Sequence, residues 1–191
     1  MSRSYWDSQA ATFDTAPDHG LTTPEVRRAW SDLLLPLIPA ASVIADIACG
    51  TGTLTQLLAS AGHTVHALDY APKMITVART KCTDLPTTFV LADATTPPYR
   101  RKAFDIVLAR HILWTLPTPE RAVANWTALL KPTGTLILIE GHWHTGAGLT
   151  PEQAQTLVHT TRKEATIHPL TNPALWGTPT TDTRYLLHSP H

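Results

Sequence analysis

An α/β fold built on an open, mostly parallel sheet is predicted for this 191-residue chain by three observations. Short β-branched runs alternate with helical stretches from Val43 onward. Those apolar runs carry little polar alternation, as strands covered on both faces require. A glycine turn, Cys49-Gly50-Thr51-Gly52, falls where the first strand gives way to a helix.

Each element has its own signal. Thr23 to Leu37 reads as a helix, with Thr23 as cap, Pro24 in the first turn, and Val26, Ala29, Trp30, Leu33 and Leu34 at helical spacing. Pro36 and Pro39 end it. Strand Val43 to Ala48, helix Thr53 to Ala61, strand Thr64 to Leu68 and helix Pro72 to Lys81 follow. The rhythm continues with strands at Thr88 to Ala92 and Phe104 to Ala109, a helix from Pro119 to Leu130, and an apolar strand from Thr135 to Ile139. A helix from Pro151 to Lys163 precedes short strands near Ala165 to His168 and Arg184 to His188. The Pro- and Thr-rich link between those last strands is too short for a comfortable helical crossover, so an antiparallel closing pair is predicted.

Composition narrows the function classes. Hydrophobic residues at 43% and charged residues at 16% describe a folded globular chain, expected as one domain with an N-terminal cap (1–40) and a core (41–191). Lys plus Arg equals Asp plus Glu, and only Arg100, Arg101 and Lys102 form a basic run, so nucleic acid is not an expected partner. Two cysteines, Cys49 and Cys82, lack metal-type spacing and fit a reducing compartment. Met1 to Phe13 has no apolar stretch of the signal-peptide kind, and no run approaches the ~20 apolar residues of a membrane span. The cytosol is the expected location and no membrane partner is expected.

The glycine turn is the chemical centre of the sequence. Gly50 and Gly52 permit positive φ and close approach of a ligand, and open parallel sheets bind ligands at such strand ends. Acids stand at three consecutive strand ends: Asp46, Asp69 and Asp93. Asp69 is placed to accept from the two hydroxyls of a ribose, and Asp93 from an adenine amino group. Each acid alone can serve as a helix cap or turn residue; three together point to a nucleoside derivative. Thr55 stands where a dinucleotide turn needs its third glycine, and Asp46 would repel a diphosphate. A carboxylate there can instead help hold the ammonium of S-adenosylmethionine, which makes that sulfonium the predicted cofactor.

Five segments in order resemble the class I methyltransferase family, on the small-molecule branch akin to ubiquinone and menaquinone biosynthesis enzymes. They are DIACGTG from Asp46, LDYAPKMI from Leu68, ADAT from Ala92, AFDIVLARHILWTL from Ala103 and LLKPTGTLILIE from Leu129. The resemblance implies a Rossmann-like, doubly wound, mostly parallel seven-stranded sheet with an antiparallel last strand and a short N-terminal helical cap. It implies that Asp46, Gly50 and Gly52 line the methionine part of the cofactor, Asp69 the ribose, Tyr70 and Met74 the adenine face, and Asp93 with Ala94 the adenine edge. Arg110 is implied beside the cofactor after the fourth strand. Tyr5 and Trp6, in a segment running to Asp14, resemble the cap that closes such sites, with a hydrophobic staple onto the domain as the alternative. Ala48 departs from the pattern, which commonly has glycine at the start of the turn.

Methyl transfer from a sulfonium needs alignment, exclusion of water and, for some acceptors, a base. His111, directly after Arg110, is the base candidate; the competing reading is a packing histidine at a helix start. His142 and His144 flank Trp143, and in an extended segment both rings face one side, suited to orienting an acidic or hydroxylated substrate. No spacing fixes a third ligand beside them, so no metal is predicted. Asp18 and His19 read equally well as loop residues, Cys49 as a small packing residue, and Trp114 and Trp143 as acceptor-pocket walls or core. The predicted activity is methylation of a small molecule at oxygen, nitrogen or activated carbon, in specialised metabolism. A cofactor-binding module without catalysis and a nicotinamide-dependent oxidoreductase are the alternatives.

Overall fold

The computed structural model describes residues 2–16 and 19–191. Its elements are α1 (Arg3–Gln9), α2 (Pro24–Leu34), β1 (Val43–Ile47), α3 (Thr53–Ser60), β2 (Thr64–Asp69), α4 (Pro72–Lys81), β3 (Thr87–Leu91), β4 (Phe104–Arg110), α5 (Pro119–Leu129), β5 (Leu130–His142), α6 (Pro151–His159), β6 (Thr166–Pro169) and β7 (Thr183–Ser189). Single 3-10 turns occupy 13–15, 35–37, 113–115 and 173–175.

The strands form one seven-stranded sheet in the order β3-β2-β1-β4-β5-β7-β6. All neighbours pair in parallel except the two pairs made by β7, which runs antiparallel to both β5 and β6. The fold is the Rossmann-like α/β architecture expected from the sequence, antiparallel last strand included. The chain moves outward from β1 to β2 and then returns to β4 on the other side, so the carboxyl ends of β1 and β4 part and leave a crevice.

Both sheet faces are covered, which explains why β1 and β4 are apolar apart from Asp46, Asp105 and Arg110. Along β5, Leu136 and Leu138 pack with Val123 and Trp126 of α5 and Val158 of α6, whereas Ile137 and Ile139 pack with Trp30 of α2 and Leu58 of α3. Trp126 is fully buried and its Nε1 donates to the Ala94 carbonyl at 2.7 Å, which ties the loop after β3 to the core.

The largest differences from expectation lie at the start of β5, the end of α6 and the link before β7. Strand β5 begins at Leu130 rather than Thr135, because Leu130 already pairs with Phe104 and the Pro- and Gly-bearing segment 131–134 is absorbed as a bulge before Thr135 pairs with Ile106. A Cβ at Gly134 would lie 3.0 Å from the Phe104 carbonyl oxygen, so this strand accepts only glycine there without displacement. Helix α6 stops at His159, and Arg162 turns back to donate to the carbonyls of Gly134 (2.9 Å) and Ser189 (2.8 Å). The Pro- and Thr-rich link is also part of the core: Trp176 is buried edge-on against Trp30 at 5.3 Å, and Trp30 Nε1 donates to the Leu175 carbonyl at 2.7 Å.

Candidate active site

The crevice opens into a cavity of about 500 Å³. Its floor is the turn after β1, where Ala48, Gly50 and Gly52 all take left-handed φ of 57°, 56° and 76°. For Ala48 that conformation costs on the order of 1 kcal/mol, strain that a glycine would relieve. A Cβ at Gly50 would point toward Phe13, 3.4 Å from its ring, narrowing the gap between the turn and the segment above it.

All three strand-end acids border the cavity. Asp69, nearly buried, accepts from the Gly50 N–H through Oδ2 and from the Ala71 N–H through Oδ1, both at 2.9 Å. Burial raises its pKa against the pull of these N–H groups. Its two oxygens retain further lone-pair capacity. Asp46 is pushed up to about 6 by burial, opposed by the Thr55 hydroxyl bonded to its Oδ2 at 2.5 Å and by the positive charge of Arg110. Asp93 accepts from the Thr95 N–H at 2.7 Å, closing an Asx turn that presents Ala94 to the cavity.

The N-terminal segment forms the roof. Asp14 receives the hydroxyls of Thr51 (2.5 Å) and Thr53 (3.2 Å) and pairs with Lys81 at 2.6 Å. Burial would raise the Asp14 pKa, but Lys81 and Thr51 outweigh it and the net shift is downward. Asp7 accepts from the Lys73 N–H at 2.8 Å, so α1 is moored to the start of α4. Trp6, Phe13 and His19 line the cavity from this side, with His19 stacked on Phe13 at 3.9 Å. Arg110 donates to the His19 carbonyl at 2.7 Å, tying the end of β4 to the roof.

The opposite end of the cavity is aromatic and apolar: Ile112, Trp114, Leu116, Pro117 and Trp143 line it beside His111. His111 is held at φ 55°, its ring 5.4 Å from Trp143. Burial depresses its pKa well below the ordinary value, reinforced by Arg110, Arg184 and His19, so the imidazole is neutral at pH 7. Its two ring nitrogens and Trp114 Nε1 are buried and lack a hydrogen-bond partner among the described residues.

Of the residues singled out by sequence, Trp6, Asp46, Ala48, Gly50, Asp69, Tyr70, Met74, Asp93, Ala94, Arg110 and His111 meet around this one cavity. Four do not line it. Tyr5 is 47% exposed, its ring edge-on to Trp6 at 5.1 Å and outside the cavity lining. Gly52 serves helix packing: a Cβ there would lie 2.8 Å from the Ala78 Cβ of α4. His142 and His144 do not share an extended face, because β5 ends at His142 and the chain folds back, with the Trp143 N–H donating to the Ala147 carbonyl at 2.9 Å. That turn sends Trp143 to the cavity and the largely exposed His144 ring to Asp182 at 3.1 Å. Asp18 lies outside the described residues. Among the described residues no group of three His, Cys, Asp or Glu side chains could hold a metal ion.

Sequence reasoning missed the anchoring role of Asp14, the roof position of Phe13 and the burial of Glu140. Hydroxyls on both sides of Gly52 were a visible hint of a carboxylate partner, and an acid ending the apolar run 136–139 was a hint of a buried one. The packing of Gly52 gives a direct test: Gly52→Ala should lower unfolding stability by about 2 kcal/mol through positive φ and overlap with Ala78. An unchanged denaturant midpoint would contradict that packing.

Residues 45–138 match the family described as "Methyltransferase domain". The demethylmenaquinone methyltransferase of Renibacterium salmoninarum is 32% identical over 151 residues, 73% of this chain and 63% of that protein. The chain thus spans less than two thirds of the length of the curated relatives it matches. Among solved structures, the phosphoethanolamine N-methyltransferase 2 of Haemonchus contortus with S-adenosyl-L-methionine superposes with a TM-score of 0.76 at 16% identity, covering 96% of this chain and 57% of that one. The [4+2]-cyclase SpnF superposes with a TM-score of 0.73 at 17% identity, covering 85% and 80%. On the domain match and these relatives, the chain is similar to S-adenosylmethionine-dependent methyltransferases, and the relatives it matches include enzymes named for menaquinone and ubiquinone biosynthesis.

Proposed function

We propose that this protein transfers a methyl group from S-adenosylmethionine to a small organic acceptor, at oxygen, nitrogen or activated carbon, as a single-domain cytosolic enzyme of specialised metabolism. The observation that carries this reading is one cavity bordered by three strand-end acids at one end and by an aromatic, apolar compartment at the other. The acids suit a cationic nucleoside: Asp69 has lone pairs left for ribose hydroxyls, Asp93 and Ala94 suit an adenine edge, and Tyr70 and Met74 its faces. Asp46, with Gly50 beside it, suits the ammonium end, and an ion pair there would favour its charged form. When bound, the cofactor supplies an electrophilic methyl carbon on a positively charged sulfur.

The chain's own residues do the rest. The 1–40 segment excludes water through Trp6 and Phe13, and the 111–117 segment and Trp143 orient the acceptor. His111 is neutral and its ring nitrogens are unpartnered among the described residues, so it can take a proton or a hydrogen bond from the acceptor. Calorimetry should detect binding of S-adenosylhomocysteine and none of NAD, and a labelled methyl-transfer screen should yield a methylated product. Binding without turnover in that screen would favour the non-catalytic module; SpnF, a cyclase by its own description, shares the fold. With an acceptor in hand, His111→Ala should lower turnover by roughly 100-fold with cofactor affinity nearly unchanged. Unaltered turnover would discard His111 as the base.

A further inference from the structure

We propose that Glu140 is a positioning residue for the acceptor half of the cavity: its carboxylate reaches from β5 to the N–H groups of Ile112 and Leu113 and fixes the turn that aims His111 and Trp114 inward. The inference rests on reading the cavity as the methyl-transfer site.

Strand β4 ends at Arg110, and the His111 N–H still donates to the Ile139 carbonyl of β5 at 2.8 Å. The chain then leaves the ladder. His111 takes a left-handed conformation that costs a non-glycine residue on the order of 1 kcal/mol, so something must hold it there. The next two N–H groups have lost the ladder and both converge on Glu140 Oε1, at 3.0 Å from Ile112 and 2.9 Å from Leu113. Glu140 is fully buried, and its Oε2 has no partner among the described residues. Burying a carboxylate is expensive unless hydrogen bonds offset the lost hydration, and the two N–H groups are the bonds that do so here. They place two side chains at once: His111 before the bonded pair and Trp114 directly after it. Both rings abut Trp143, at 5.4 and 5.3 Å, and both carry buried polar atoms unpartnered among the described residues.

Imidazole ¹⁵N resonances of His111 read this placement directly, with the signals identified by their loss in H111Q. Spectra of the wild-type chain, E140Q and E140M should be compared, since Gln keeps an acceptor oxygen and Met keeps the length without one. The expected result is a wild-type His111 pattern in E140Q and a displaced or broadened one in E140M. Affinity for S-adenosylhomocysteine, measured by calorimetry, should change by less than about threefold in both variants. Identical His111 signals in wild type and E140M would overturn the proposal. So would an E140M chain that fails to fold, because the carboxylate would then serve stability rather than placement. Absence of S-adenosylhomocysteine binding by the wild-type chain would refute the methyl-transfer reading instead, and leaves the resonance comparison decisive for Glu140.

Discussion

Replacing Asp69 with Ala should weaken binding of S-adenosylhomocysteine by roughly 100-fold, about 3 kcal/mol. In the proposed site its carboxylate is the acceptor for the ribose hydroxyls, and hydrogen bonds to a charged acceptor in a buried setting are worth about 1.5–3 kcal/mol each. The same oxygens hold the Gly50 and Ala71 N–H groups, so the substitution also frees the glycine turn from the end of β2. Asp69→Asn separates the two effects. It keeps one acceptor oxygen and should fall between wild type and Ala in affinity. Calorimetry on all three forms is the measurement, and an Ala variant within about twofold of wild type would remove Asp69 from the cofactor site.

Glu140→Gln should change how stability depends on pH. Burial pushes the Glu140 pKa from 4.5 up to about 7 in the folded chain, against the pull of the Leu113 and Ile112 N–H groups. The folded state therefore binds more protons than the unfolded state between those values. The stabilising contribution is fully present below pH 4.5 and is lost as pH rises through about 7. At 1.36 kcal/mol per unit, the loss amounts to about 3 kcal/mol over that range. Gln cannot ionise, so the stability of E140Q relative to wild type should climb by about that amount from pH 5 to pH 7.5 and then level off. Asp46 contributes a slope of the same sign, and His111, depressed in the folded state, one of opposite sign below its ordinary pKa, but both are common to the two proteins and cancel in the difference. Urea titrations of both proteins across that range test it; a pH-independent difference would show that Glu140 is not a buried titrating group.

Most of the sheet was legible because its cause is local. Central parallel strands are apolar on both faces, so the runs at 43–47 and 104–110 could be read as strands with little error. At the start of β5, Pro132 and Gly134 carry a loop signal, and only pairing with β4 keeps the bulged segment in the sheet. The composition of the link before β7, dominated by Pro and Thr, predicts a plain connection, while the burial of Trp176 depends on Trp30, far away in the chain.

The sequence alone determined where the candidate site lies: glycines after β1 and acids at or just beyond the ends of β1, β2 and β3 are fixed by strand order, and any chain of this topology brings strand ends to one crevice. Tertiary structure alone decided which neighbours share that crevice. Asp14 reaches Lys81 across 67 residues and Glu140 reaches Leu113 across 27, contacts that no periodicity encodes. It also separated His111 from His142 and His144. One lies on the cavity wall because the chain leaves β4 there, and the others do not because the backbone reverses after β5. Side-chain direction at a strand end follows the turn that comes next, and that turn is set by partners distant in sequence.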